Sequence, residues 1–145
     1  MAALPLKDGL RILEIGCGPG VAAREICRLI GDGFVLAIDR SEKTIRLAQA
    51  GSEQEIASGR LEFRQAAIEE FLLSPHDDLF DMAFAMRVGA LDGRHPGAGK
   101  LALEKIRAAL KPRGRLFIDG GDPLQEIMLH DGGPGAGDQG SSSPG

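Results

Sequence analysis

The sequence contains no tryptophan and no tyrosine, and its aromatic content is six phenylalanines. Platforms on which single-stranded bases could stack are therefore scarce. The net charge of −4 gives no general attraction toward a phosphate backbone. Nucleic acid is not expected as a partner. Cysteine is also sparse. Cys17 and Cys27 form no C-x-x-C pair, and nothing else in the chain would ligate a metal with them, so no metal is expected. Cys27, next to Ile26, reads as a small buried residue of a helix. Long hydrophobic runs are missing too: none approaches the roughly 18 to 20 residues needed to cross a bilayer. The stretch Met1 to Gly9 has no basic start followed by an apolar core of signal-peptide length. The expected address is the cytoplasm, with no membrane partner.

What remains is ordinary for a globular protein. A chain of 145 residues, 43% apolar and 26% charged, has the size and composition of one domain with a real core. Its most informative stretch is Ile12-Leu13-Glu14-Ile15-Gly16-Cys17-Gly18-Pro19-Gly20. Arg11 to Ile15 is a short apolar run of strand length. Gly16, Gly18 and Gly20 allow a sharp turn and let a ligand lie against bare backbone. Val21, Ala22, Ile26, Leu29 and Ile30 then repeat at helical spacing. Strand, tight turn and helix make the first half of a βαβ unit that suits a nucleoside-like ligand.

Further along, Gly31-Asp32-Gly33 ends the helix. Phe34 to Ile38 is nearly all apolar, as a strand covered on both faces must be, and it ends at Asp39. Ser41 caps a second helix running to about Ala57, with Gly51 and Ser52 as a weak point. Leu61 to Gln65 reads as a third strand, Ala66 to Leu73 as a short helix, and Leu79 to Met86 as a fourth strand broken by Asp81. Val88 to Gly99 is rich in glycine and proline and reads as a long connecting loop. Lys100 to Leu110 is an amphipathic helix stopped by Lys111-Pro112-Arg113-Gly114, and Arg115 to Asp119 is a fifth strand. The alternation βαβαβαβαβ implies a doubly wound α/β fold with an open, mainly parallel sheet. Residues 1–131 form the expected domain. Residues 132–145, mostly Gly, Ser, Pro and Asp, read as a disordered tail.

At this point four segments resemble the class I S-adenosylmethionine-dependent methyltransferases. Leu13 to Gly20 is similar to the family's E-x-G-x-G-x-G motif, and Asp39 to its acidic residue at the end of strand two. Phe80-Asp81-Met82-Ala83-Phe84-Ala85 resembles its fourth-strand motif. Leu110-Lys111-Pro112-Arg113-Gly114-Arg115-Leu116 resembles its L-K-P-G-G-x-L turn. The resemblance covers roughly Gly9 to Asp119 and implies strand order 3-2-1-4-5 and S-adenosyl-L-methionine as cofactor. A dinucleotide fingerprint, G-x-G-x-x-G, would place its third glycine where this chain has Val21, so a nicotinamide-dependent oxidoreductase is the weaker alternative.

The resemblance also implies roles. Gly16 and Gly18 would approach the methionine portion of the cofactor with their backbone, and Cys17 and Gly20 are counted with the cofactor residues. Glu14 would either orient nearby backbone or contact the methionine amino group. Asp39 would accept hydrogen bonds from the ribose hydroxyls. The family's acid near adenine falls here at Ala67, leaving backbone and packing from Ile68 and Arg40 to hold the base. Strand four leads to Met86, counted with the cofactor residues, and to Arg87 and Val88, where a methyl acceptor is expected. Arg87 could position an acidic substrate, and His95 could act as a general base. His76 and His130 read as surface residues. Asp119 and Asp122 could hold an amine but lack a third metal ligand. The N-P-P-Y signature of amine-modifying relatives is absent, and the acceptor expected is a small molecule that the sequence does not name.

The family's closing antiparallel hairpin has little room here. Leu124, Ile127, Met128 and Leu129 suit either a helical turn or a short edge strand. An uncovered sheet edge would invite a homodimer. The short C-terminus and Ala67 keep a further alternative open, a cofactor-binding module without catalysis.

Overall fold

The computed structural model describes residues 5–85, 96–118 and 125–127. Its elements are β1 (Arg11–Ile15), α1 (Val21–Leu29), β2 (Phe34–Asp39), α2 (Glu42–Ala50), α3 (Glu53–Ala57), β3 (Leu61–Gln65), a 3-10 turn (Ile68–Glu70), β4 (Phe80–Ala85), α4 (Pro96–Ala109), β5 (Leu110–Ile118) and β6 (Gln125–Ile127). The strands form one sheet in the order β3-β2-β1-β4-β5-β6. The first five run parallel, and β6 joins β5 antiparallel.

The apolar runs of β1, β2 and β4 bury both faces of this sheet. On one face Ile12, Val35, Ala37, Met82 and Phe84 pack against Ala23, Ile26 and Ile30 from α1 and its end, and against Ile45 and Ala48 of α2. On the other face Leu13, Ile15, Leu36, Ile38, Ala83 and Ala85 pack against Ala102, Ile106 and Ala109 of α4, with Ile68 and Phe71 beside them. Side chains alternate across a strand, so Glu14 must point to the same face as Ile12. It faces the α1 layer.

Several expected elements take a different form. The helix expected from Ser41 to about Ala57 is two helices, α2 and α3, separated at Gly51–Ser52. Ala66 to Leu73 is not a helix but one 3-10 turn flanked by extended residues. Ile68 and Phe71, three apart, both reach the core while Leu72 is left exposed, whereas an α-helix would set Leu72, four from Ile68, on the same face. The loop expected to run to Gly99 ends earlier, because α4 already begins at Pro96. Proline has no amide hydrogen to lose at a first helical position.

The expected turn at Lys111–Gly114 lies inside the span of β5. Phe80 pairs with Leu110 and Met82 with Arg115, so one residue of β4 faces four of β5 and those four leave the ladder. The edge of β5 is not bare either, since β6 pairs with Leu116, Phe117 and Ile118. That agrees with the edge-strand alternative and removes the physical reason for a dimer at those residues. The tail at 132–145 lies outside the described residues.

From β1 the chain passes to β2 and β3 on one side and to β4 and β5 on the other. In sheets of this kind a crevice opens beyond the carboxyl ends of the two strands where the direction switches. Here these are Ile15 of β1 and Ala85 of β4, which pair with each other.

Ile106 is fully buried where α4 meets the sheet. We expect Ile106→Ala to lower unfolding free energy by about 2–5 kcal/mol in urea denaturation. A loss below about 1 kcal/mol would show that α4 does not pack as described.

Candidate functional site

The glycine turn leaves the carboxyl end of β1 and is fastened to β2. The amides of Gly16 and Cys17 both donate to the Ile38 carbonyl, at 2.8 and 3.0 Å. The Gly18 amide donates to Asp39 Oδ2 at 3.1 Å. Asp39 Oδ1 accepts from the Ser41 amide at 3.0 Å, and Ser41 Oγ in turn caps α2 by accepting from Thr44 N at 3.2 Å. One carboxylate thus joins the turn to the start of α2. Each of its oxygens keeps a further lone pair for a ligand.

All three turn glycines have positive φ: 76° at Gly16, 55° at Gly18 and 89° at Gly20. Their surroundings differ. A Cβ at Gly18 would meet no atom within 4 Å, so this part of the turn borders open space. A Cβ at Gly20 would lie 2.9 Å from Phe63 Cζ and 3.1 Å from Arg24 Nη1. Gly18 leaves room for a ligand, and Gly20 leaves room for the protein's own packing.

Beneath the turn lies Glu14, 1% exposed. Its Oε1 has no hydrogen-bond partner in the protein. Burial, and secondarily the charge of Asp39, push its carboxyl up from 4.5 to about 8, so it carries a proton at neutral pH. A buried carboxyl without a partner is costly, and its free oxygen could accept from a ligand donor. Cys17 belongs to the same cluster. Burial, followed by the charges of Glu14 and Asp39, pushes its thiol up to about 12, so it stays neutral and unreactive. Both cysteines are free and buried.

The residues expected beside an adenine are less open than that role suggests. Ile68 is 3% exposed, its side chain committed to the core beside α4. Arg40 is exposed and pairs with Glu69 at 3.4 Å. Ala67 is half-buried with extended backbone. Its neighbour Ala66 is tied to the end of β2, the Ala66 amide donating to the Asp39 carbonyl at 3.0 Å. Backbone at 66–68 and the stem of Arg40 are therefore what this side offers a base. His76 is exposed on the approach to the amino end of β4, far along the chain from the turn. Met86, Arg87, Val88, Asp92, Arg94, His95, Asp119, Asp122 and His130 lie outside the described residues. Among the described residues, no three His, Cys, Asp or Glu side chains are grouped to hold a metal.

Two contributors have no counterpart in the sequence reading. Arg24 and Phe63 close around Gly20 from α1 and β3. Arg24 had one available sign, a basic residue one helical turn beyond the last glycine. Phe63 had none beyond an inward-facing place on β3.

A family model described as a methyltransferase domain matches residues 6–131. Over 114 residues the chain is 36% identical to a ubiquinone biosynthesis O-methyltransferase of Azorhizobium caulinodans, covering 79% of this chain and 41% of that one. A solved S-adenosylmethionine-dependent methyltransferase from Mesorhizobium loti superimposes with a TM-score of 0.63 at 28% identity, covering 81% of this chain and 49% of that one. A solved [4+2]-cyclase, SpnF, superimposes with a TM-score of 0.64 at 27% identity, covering 77% of this chain and 39% of that one. The chain spans between 27% and 52% of the length of the curated relatives it matches.

Below about pH 4.5 Glu14 is neutral in both the folded and the unfolded chain. Between there and about pH 8 the unfolded chain gives up this proton and the folded chain keeps it. The Glu14 contribution to stability therefore declines as pH rises through that window and then levels off. We expect urea unfolding to show Glu14→Gln gaining on the native chain by on the order of 3 kcal/mol between pH 5 and pH 8. A constant difference between the two would mean that Glu14 titrates normally.

Proposed function

The chain belongs to the class I S-adenosylmethionine-dependent methyltransferases, and on that premise we propose that its glycine turn binds S-adenosylmethionine for methyl transfer to a small-molecule acceptor. The observation that carries this reading is the buried, partnerless Glu14 Oε1 beneath the turn, with Asp39 near enough to raise its pKa. Two carboxyl groups at one site attract a cation. The methionine ammonium answers the unpaired oxygen, and a sulfonium adds a second positive charge. A dinucleotide would instead bring an anionic pyrophosphate toward the same two groups, which weighs against the oxidoreductase alternative.

When bound, this cofactor supplies a methyl group on a positively charged sulfur. The remaining work is binding, orientation and exclusion of water. In our reading Glu14 Oε1 would accept from the ammonium, the carboxyl proton passing to solvent. The backbone at Gly16 and Gly18 lies beside the methionine portion, where Gly18 borders open space. Asp39, already oriented by the Gly18 and Ser41 amides, accepts from the ribose hydroxyls. Backbone at Ala67 and Ile68, with Arg40, borders the adenine.

Aligning two reactants can remove on the order of 7–11 kcal/mol of a barrier in the best intramolecular cases, so a conspicuous catalytic dyad is not required. For the acceptor we keep Arg87 as the positioning residue and His95 as the base, both in the segment that follows β4. The O-methyltransferase named above supports an oxygen on a small molecule as the methylated atom. A second reading, an adenosyl-binding protein without methyl transfer, is favoured by the relative named as a cyclase. Among the described residues no helix is long and apolar enough to cross a membrane. Two free thiols suit the reducing cytoplasm, where we place the protein.

Calorimetric titration with S-adenosylmethionine, S-adenosylhomocysteine and NAD separates these readings. We expect heat from both adenosyl ligands and none from NAD; no heat with either adenosyl ligand would sink the proposal. Asp39→Ala is expected to weaken adenosyl-ligand binding at least tenfold, given roughly 1.5–3 kcal/mol for each hydrogen bond to a charged group. Unchanged affinity would refute the ribose role. A labelled-methyl screen of small phenols and alcohols then separates transferase from binding protein.

A further inference from the structure

Arg24 sits on α1, its amide donating to the Gly20 carbonyl at 3.0 Å. Its guanidinium turns back toward the glycine turn. Nη1 donates to the Pro19 carbonyl at 3.1 Å and to Ser52 Oγ at 2.9 Å. Ser52 is fully buried at the break between α2 and α3. The same nitrogen lies 3.1 Å from where a Cβ on Gly20 would be, and 3.2 Å from a Cβ on Gly51. Two glycines therefore clear the space that one arginine fills.

The start of α1 explains why the turn needs this. Gly20 occupies the N-cap position in the left-handed region, and no side chain caps the helix there. The first half of the turn is fastened to β2 through Gly16, Cys17 and Gly18. The second half has the Gly20 amide, which donates to the Cys17 carbonyl at 3.2 Å, and the grip of Arg24 on Pro19. A carbonyl held by a cationic donor fixes the orientation of its whole peptide. The Pro19–Gly20 peptide is in this way aimed before any ligand arrives, and the aim is referred to the α2–α3 break through Ser52.

We propose that Arg24, braced by Ser52, is a positioning residue that presets the second half of the glycine turn for the cofactor, an inference that rests on the cofactor site proposed above. A turn already in its binding conformation spares the ligand the cost of ordering it. Without the brace the turn samples other conformations, and affinity falls by the fraction of time it spends in them.

The test uses the full chain and four proteins: native, Arg24→Met, Arg24→Lys and Ser52→Ala. For each, S-adenosylhomocysteine affinity is measured by calorimetry, thermal stability by circular dichroism, and amide exchange of Gly16, Cys17, Gly18 and Gly20 without ligand. We expect Arg24→Met to fold, to bind about tenfold more weakly, and to exchange its Gly20 amide faster while the Gly16, Cys17 and Gly18 amides, held by β2, are unchanged. Arg24→Lys should recover part of the affinity, since an ammonium can still donate to the Pro19 carbonyl. Ser52→Ala should fall between native and Arg24→Met.

Native affinity in Arg24→Met, or unchanged exchange at Gly20, overturns the inference. If Arg24→Met does not fold, Ser52→Ala decides, and native affinity with native exchange in that variant overturns it as well. A native chain that binds no adenosyl ligand overturns the cofactor site itself and with it the role assigned to Arg24. Native binding with an indifferent Arg24→Met overturns this inference alone.

Discussion

Three consecutive amides of one turn, those of Gly16, Cys17 and Gly18, are spent on the last two residues of the neighbouring strand. This fastening is the constraint from which the site follows. It carries the chain over the carboxyl end of the sheet where its strand order switches direction. Asp39 becomes the anchor of the turn, with a lone pair left over on each carboxylate oxygen. The start of α2 is set as well, because the other oxygen of Asp39 holds the Ser41 amide. Only residues without a Cβ can follow this path at positive φ without strain.

The same fastening shuts Glu14 beneath the turn. A carboxyl group placed there is sheltered from water, has an oxygen with nothing to bond, and lies within reach of a second acid. For a protein that binds nothing this is a liability that Gln, Thr or an apolar residue would relieve. For a protein that binds a zwitterionic, positively charged ligand it is a receptor kept neutral until the ligand arrives. The electrostatic sign of the site thus separates candidate cofactors more sharply than the shape of the turn does, since mononucleotide and dinucleotide ligands both use glycine turns at this place in the fold.

The strands were legible because β1, β2 and β4 are buried on both faces and must be apolar throughout, which leaves few other readings. Asp39 was legible for the same reason: a charge directly after such a run has to mark its end. Local turns were harder. Ala66 to Leu73 has a composition that suits a helix, but only Ile68–Glu70 is helical, as one 3-10 turn, and Leu72, which an α-helix would set on the face of Ile68, is exposed. The proline of Pro96 reads as loop until it is seen as a first helical residue. Least legible was the pairing of Arg24 with Ser52, 28 residues apart. Each looks like a surface residue alone, and the buried hydroxyl makes sense only beside the guanidinium that bonds it. Glycine spacing suggested which class of cofactor to expect, while the unpaired Glu14 oxygen appears only once the turn is folded over it.

The most direct test of this picture is to titrate S-adenosylhomocysteine into the protein at pH 7 in two buffers of different ionisation enthalpy. If Glu14 is neutral in the free protein and ionises as it meets the ligand ammonium, binding releases about one proton per site, and the observed heat differs between the buffers by that proton's transfer. The release should vanish in Glu14→Gln. Binding with the same heat in both buffers, or a release that survives in Glu14→Gln, would contradict a site built around a neutral, waiting carboxyl.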